Sequence, residues 1–502
     1  MRKYILAIVC LLSACCVFSQ GSHDAMKYAG RDLYGTARYV GMSGAFAALG
    51  GDPSAVHDNP ASLGVFRSSD ASISLDINTE RTTSTSGQDQ YIGRRFRISC
   101  GQVNWVINFK TENTEHGLVS HSLMFGYKRL KNYNRDVNAV MQHQNNSFTD
   151  YLAEYTQGLN ANQLNNDNSY SDVNVGWLSI LGYQGFLINP DTINQGNWFS
   201  LLEPGEQVNS AFSMVESGWL DEYIAGWGAN LSNRLYLGAS FGVRAMMYSK
   251  SVTYGESFGN GGNFDLSTYY NASGIGVNGT FGVIYRPVNN TRFGLSFQTP
   301  TLMNNKEAFD AKVVTRNVTT NTVTVESPRT TTFNYRVTNP WRITAGLAST
   351  FSNVGLISFQ YDYEAYKTMK FSSNTGKTDI WAYDNNEIKN SLHNLHTFRV
   401  GGEVLIGSMF AIRAGYAYTT TFAHSAPIRN KQLNDIRTDT ETSEIRNQHY
   451  ISAGFGVRSR IVAADIAYQC RISREQVLPY TGSNVFDLNA ISHRVVLTVA
   501  IK

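Results

Sequence analysis

The chain has 502 residues, 42% of them hydrophobic and 12% aromatic, with 43 glycines, 10 prolines and a formal net charge of +3. A charge so small, on basic residues scattered along the chain, argues against a nucleic-acid partner. Beyond the N-terminus no apolar run is long enough for a membrane helix, which excludes a helical membrane protein but not a membrane barrel, whose alternating strands average to unremarkable hydropathy.

The N-terminus reads as an export signal: Arg2 and Lys3, an apolar run from Ile5 to Leu12, then small residues ahead of Gln20. Residues 1–19 are expected to be removed. A lipoprotein signal is the competing reading, because Leu12-Ser13-Ala14-Cys15 would suit lipid attachment at Cys15. Ordinary cleavage discards Cys10, Cys15 and Cys16 and leaves Cys100 and Cys470, as two free thiols or one bridge.

Residues 20–70 contain a stretch, Ala37 to Gly64, that is rich in small residues and nearly uncharged. Met42, Ala45, Phe46 and Leu49 recur at helical spacing and predict a short helix stopped at Gly50. Asp52 as cap and Pro53 at the first position predict a second helical turn, ended by Asn59-Pro60.

On this stretch, GMSGAFAALGGDPSAVHDNPASL, the chain resembles the N-terminal hatch of the FadL/OmpP1/TodX family of outer-membrane transporters for hydrophobic compounds. The resemblance implies that Asn59, Pro60 and Ala61 belong to a plug inside a fourteen-stranded barrel; Ser62 departs from the glycine usual after them. It extends to Asn339–Ser349, Gln360–Phe371 and Phe398–Thr420. It also implies ligand capture among extracellular loops, a pocket above the plug, and sideways exit at a kink in the third strand. Gly126 is the candidate for that kink, a glycine lining a crowded lumen being the other reading.

From residue 71 to 502 the chain repeats one unit, a run of alternating apolar and polar residues. The runs are 71–81, 94–110, 118–133, 217–230, 234–256, 268–287, 291–301, 333–350, 354–371, 393–408, 409–424, 446–459, 461–474 and 488–501. Short turns follow even strands, at Leu231–Asn233, Val288–Asn290, Phe351–Asn353 and Ser408, and long loops follow odd ones. This predicts an all-β fold, a fourteen-stranded antiparallel transmembrane β-barrel with both termini periplasmic. Leu235, Leu237, Ala239, Phe241 and Val243 share one face, Tyr236, Gly238, Ser240, Gly242 and Arg244 the other. Phe293, Leu295 and Phe297, and Ile451, Ala453 and Phe455, repeat the split. No linker divides the run into sandwich domains. The longest loop, about 134–216, is Asn-rich and is read as extracellular, either with short helices such as Thr149–Leu159 or as a partly disordered insertion.

Fourteen strands leave a lumen too wide for side chains to fill, so the knot ahead of the first strand is expected to plug it. Inward-facing Arg244, Arg292, Arg342, Arg399, Arg413 and Arg458, with Glu364, Glu403 and Asp465, would hold the plug through ion pairs. The sharper reading gives one or two of Arg244, Arg399 and Arg413 to a ligand carboxylate. No nucleophile elbow, zinc spacing or phosphate loop occurs, so neither catalytic residues nor metal nor cofactor is expected; His393 and His396 form an isolated HxxH pair. The expected function is passive outer-membrane transport of long-chain fatty acids or other hydrophobic compounds, by a monomer surrounded by outer-membrane lipid. Two alternatives stand beside it. One is haem or porphyrin uptake dependent on His393, His396 or His424; the other is a structural or shuttle role in secretion through a protein partner on the loops.

Overall fold

The computed structural model describes residues 21–166, 168–316, 322–330, 333–351, 354–407, 409–421 and 435–502. The expected signal segment, the turn residues Ser352, Asn353 and Ser408, and His424 lie outside the described residues.

Ahead of the sheet come α1 (Ser22–Ala29), α2 (Ala37–Gly41) and two 3₁₀ turns, Pro53–His57 and Pro60–Val65. The strands are β1 (Asp70–Ser86), β2 (Asp89–Lys110), β3 (Leu118–Asn132), β4 (Arg135–Gln144), β5 (Asn189–Pro190), β6 (Trp198–Phe199), β7 (Val208–Leu231), β8 (Leu235–Ser257), β9 (Asn263–Val288), β10 (Thr291–Gln298) and β11 (Leu302–Arg316). They continue with β12 (Val323–Glu326), β13 (Phe333–Thr338), β14 (Arg342–Phe351), β15 (Gly355–Glu364), β16 (Lys370–Ser372), β17 (Leu395–Ile406), β18 (Phe410–Thr419), β19 (Thr442–Arg458), β20 (Val462–Leu478) and β21 (Phe486–Ile501). Loop helices are α3 (Phe148–Thr156), α4 (Ala161–Leu164), α5 (Trp177–Gln184) and α6 (Ala382–Ser391).

Wall pairing is antiparallel throughout, and β1 bonds both β2 and β21, so the sheet closes on itself with fourteen wall positions. β4 prolongs β3, and β16 prolongs β15. The pairs β10/β11 and β13/β14 each share one position, split by Pro300 and Pro340, which have no N–H to give to a ladder. The seventh strand therefore continues to Arg316, past the end at 301 that the alternation set. The first hairpin also departs from the sequence reading: instead of a long loop, β1 and β2 stay paired to Ser86↔Asp89. The run Thr82-Thr83-Ser84-Thr85 is polar but largely β-branched, and pairs as readily as an apolar one.

Leu237, Phe241, Phe293, Leu295, Ile451, Phe455, Leu497 and Val499 are exposed, while Tyr236, Arg244, Ser296, Ser452 and Thr498 of the same strands are buried. At the level of these residues the wall is greasy outside and polar inside, the pattern of a barrel in lipid.

Two layers fill the lumen. Toward the short turns sits the plug, on the inner faces of β7 to β10, β14, β15 and β17 to β21. Toward the long connections the chain from 145 to 207 folds into a cap, where Phe148, Leu152, Trp177, Leu181, Tyr254, Phe264 and Tyr480 share one apolar cluster with Tyr28 of α1. The flanks of the expected 134–216 loop are wall, with Arg135 paired to Glu216, and α3 lies close to the helix read at Thr149–Leu159. Tyr28 Oη lies 2.5 Å from Tyr270 Oη and 3.0 Å from Tyr335 Oη, so the first described residues are inside the barrel rather than at its turn rim. Ile501, by contrast, pairs with Ala71 and Val462 at that rim.

Candidate functional site: the chamber above the plug

The plug is shaped by caps and by the wall it rests on. Thr36 caps α2 by accepting from the Tyr39 N–H (3.1 Å). The helix expected over Met42–Leu49 is absent: α2 ends at Gly41, and Ser43 and Gly44 turn left-handed at φ 49° and 74°. The N–H groups of Phe46 and Ala47 donate to the wall residue Gln360 (3.0 and 2.9 Å) instead of building a helix ladder. Gly50 does take the left-handed conformation, at φ 64°. Asp52 caps the Pro53–His57 turn through the Ser54 N–H (2.9 Å).

Asn59-Pro60 ends that turn and starts the next. The Asn59 side chain accepts from the Ala61 N–H (3.1 Å) and donates to Ala47 O (2.7 Å) and to Val283 O on the wall (3.2 Å). Beneath this tripeptide the wall must be glycine. A Cβ on Gly238 would stand 2.2 Å from the Pro60 carbonyl carbon, and one on Gly282 1.9 Å from Asn59 Oδ1.

Charge fastens the plug. Asp58 meets Arg342 (2.9 Å) and Arg399 (3.7 Å) and accepts from the Tyr39 hydroxyl, while Arg342 also donates to His57 O (2.9 Å). Burial pushes the Asp58 carboxyl up, but Arg342 and Arg399 outweigh it and hold it well below the usual carboxylate range. His57 Nδ1 lies 2.8 Å from Glu222, which also takes Arg244 at 2.8 Å. Burial lowers the His57 pKa against the pull of Glu222. Lower down, Glu403 gathers Arg38 of α2 (3.0 Å), Arg413 (2.6 Å) and Arg458 (3.1 Å), and Arg413 reaches Asp465 (2.6 Å). Arg292 donates to Leu49 O, and Glu364 pairs with Arg31 (3.1 Å). The inward charges singled out in the sequence thus engage plug or wall partners.

Above the plug lies a cavity of about 130 Å³. Tyr39, His57 and Asp58 line it from the plug, Lys128, Leu130, Lys131, Arg399 and Arg471 from the wall, and Lys27 and Arg31 from the N-terminal segment. Of Arg244, Arg399 and Arg413, Arg399 alone is among its lining residues, and it already binds Asp362 at 3.0 Å. Most lining charges are paired: Lys27 with Glu216 (3.2 Å), and Arg471 with Asp32 (2.9 Å) and Glu80 (2.8 Å). Lys128 and Lys131 differ. Among the described residues neither has a carboxylate in salt-bridge range; their ammonium groups lie over the rings of Tyr39 (4.7 Å) and Tyr133 (5.2 Å). The buried His57 Nε2 also lacks a hydrogen-bond partner among the described residues.

This lysine pair was illegible in the sequence. Three residues apart, the two would face opposite ways on a regular strand. A register shift between Arg129 and Lys131 makes Leu130 an extra residue and turns both inward.

The β2–β3 ladder opens into a window beside the chamber, bounded above where Arg95 of β2 pairs with Asp136 of β4 (2.7 Å). β2 and β3 pair from Lys110↔Ser120 up to Gln102↔Lys128 and no further, while β2 stays on β1 up to Asp89 and β3 and β4 stay on β7. The gap, about 240 Å³, is lined by Asn78, Glu80, Arg95, Phe96, Arg97, Asn132 and Asn134, of which Glu80, Asn132 and Asn134 also line the chamber. Gly126 is in register with both Asn104 and Ile224, so the ladder separates beyond it, above Lys128.

Cys100 and Cys470 are both free thiols. His396 sits on the outer face, its Nδ1 2.8 Å from the Tyr361 hydroxyl, and the described residues contain no cluster of metal-ligating side chains.

No protein-family model matches the chain, and no curated protein does. Solved structures do. A Pseudomonas aeruginosa FadL homologue superposes with a TM-score of 0.54 at 10% identity, over 94% of this chain and 99% of that one. The Pseudomonas putida toluene transporter TodX gives 0.50 at 12% identity, over 96% and 99%. A TodX mutant described as a monoaromatic hydrocarbon channel gives 0.50 at 13%, over 93% and 99%. The chain has the fold of these outer-membrane proteins.

Proposed function

We propose that this protein is an outer-membrane transporter of the FadL/TodX kind, a monomeric barrel from residue 71 onward with residues 20–70 as its plug, that takes acidic amphiphiles such as long-chain fatty acids inward without energy coupling. The observation that carries this reading is the adjacency of the lateral gap between β2 and β3 to a plugged chamber holding two lysines with no carboxylate in salt-bridge range among the described residues. A plugged lumen does not suit bulk diffusion, so a route through the wall is needed. Lys128 and Lys131 supply the positive charge a carboxylate seeks on entering a low-dielectric interior, and Arg399 stands on the same chamber as a further donor. The tail would then leave past Phe96 into the membrane, with the loops on the extracellular side and the short turns in the periplasm. The charged lining favours an acid over a neutral hydrocarbon.

Uptake of labelled oleate by cells that depend on this protein tests the proposal, with labelled toluene measured beside it. In a background lacking Cys100 and Cys470, Arg97→Cys with Asn132→Cys joined by a cleavable bis-maleimide is expected to stop oleate uptake, and cleavage of the linker to restore it. Lys128→Met with Lys131→Met is expected to lower oleate uptake at least tenfold while leaving toluene unchanged. Full uptake through the cross-linked gap, in protein shown to be folded and inserted, refutes lateral exit. For the haem reading, His396 faces outward and His424 lies outside the described residues.

A further inference from the structure

The outer face of β18 to β21, β1 and β2 changes in a fixed order along the barrel axis. Outward residues on β20 run Val462, Ile466, Tyr468 and then Arg474; on β19 they run Phe455, Ile451, His449 and then Arg446. On β21 Val499 and Leu497 give way to His493, and on β1 Ile73 and Leu75 give way to Arg81. The apolar belt ends at two Tyr–His pairs, Tyr416 with His449 (2.8 Å) and Tyr468 with His493 (2.7 Å). Past them stand Arg446, Arg474, Arg81 and, directly opposite Arg81, Arg94 of β2.

Among the described residues these four arginines have no carboxylate in salt-bridge range, and Asp487 at the same rim accepts from Gln476 (3.0 Å). The far side of the barrel is built differently: outward Lys312 pairs with Glu326 (2.8 Å) and Arg316 with Asp265 (2.7 Å). Like charges facing each other across a strand pair are destabilising, so Arg81 opposite Arg94 calls for an anion between them. At ~3.3 Å per residue and ~40° tilt, Arg81 stands roughly 28 Å up the axis from Asp70, just beyond an apolar band of ~25 Å. That is headgroup depth, where the anion at hand is a lipid phosphate, which guanidinium groups bind bidentately.

We propose that this rim, Arg81, Arg94, Arg446 and Arg474, binds the phosphate groups of an anionic glycolipid in the outer leaflet and fixes the barrel's orientation beside the lateral gap. The proposal rests on the membrane-barrel reading. Its test is native mass spectrometry of the full chain, folded in neutral detergent and offered purified bisphosphorylated lipid A. The wild type is expected to retain lipid A, and Arg81→Gln/Arg94→Gln/Arg446→Gln/Arg474→Gln to retain at least tenfold less. Lys312→Gln/Arg316→Gln is expected to match the wild type. Excess inorganic phosphate is expected not to displace the lipid, and dephosphorylated lipid A not to bind. Equal retention by the quadruple variant, binding of the dephosphorylated lipid, or displacement by inorganic phosphate overturns the proposal. Failure of the membrane-barrel reading looks different: the wild type would then give no heat-modifiable folded band and no insertion into phosphatidylcholine vesicles.

Discussion

Asp58 ties the plug to two wall strands, taking Arg342 of β14 and Arg399 of β17, and accepts from Tyr39 within the plug. Asp58→Asn removes the carboxylate that the buried Arg342 pairs with, while Arg399 keeps Asp362 (3.0 Å), and removing one partner of a buried pair costs about 3–5 kcal/mol. The expected outcome is faster hydrogen exchange across residues 37–64 and a rise in single-channel conductance in planar bilayers. Gly238→Val probes the same seating by shape. Its side chain would collide with the Pro60 backbone, so the plug should lift and conductance rise while the heat-modifiable band of the folded barrel persists. The Asn59-Pro60-Ala61 motif was legible in the sequence because capping and proline chemistry act within a few residues. The glycines beneath it lie more than a hundred positions away, and nothing local marks them.

Among the elements, the plug has a pH-sensitive seat. His23 and His57 both have lowered pKa values, chiefly through burial; Lys27 adds to the effect at His23 and the Glu222 hydrogen bond opposes it at His57. Groups depressed in the docked state bind protons less well than the undocked plug, whose histidines titrate near about 6.5. Docking stability is therefore full above that pH and falls as the pH drops below it. Asp58, held well below the usual carboxylate range, stays ionised across this window and does not offset the loss. Protection factors over residues 37–64, corrected for the intrinsic pH dependence of exchange, should be lower at pH 5 than at pH 7.5, and His57→Gln should flatten the difference. The same element shows where helical periodicity misleads. Met42, Ala45, Phe46 and Leu49 are all buried, yet what they face is a wall and a side-chain acceptor, Gln360, that takes the N–H groups a helix would need.

For the whole molecule, the inside-out distribution of side chains predicts that outward Trp105 and Trp227 contact lipid tails. In vesicles of brominated phosphatidylcholine their fluorescence should be strongly quenched, and Trp105→Phe with Trp227→Phe should remove most of that quenching. Strand number, plug and greasy exterior follow from the sequence by itself, because the two-residue alternation and the turn residues are local and repeat along the chain. The chamber, its two lysines with no carboxylate in salt-bridge range among the described residues, the gap beside them and the arginine rim were decided only by tertiary structure. Each depends on one extra residue at Leu130, on where β2 stops pairing with β3, or on which of fourteen strands become neighbours when the sheet closes, and registers of that kind are set between distant segments.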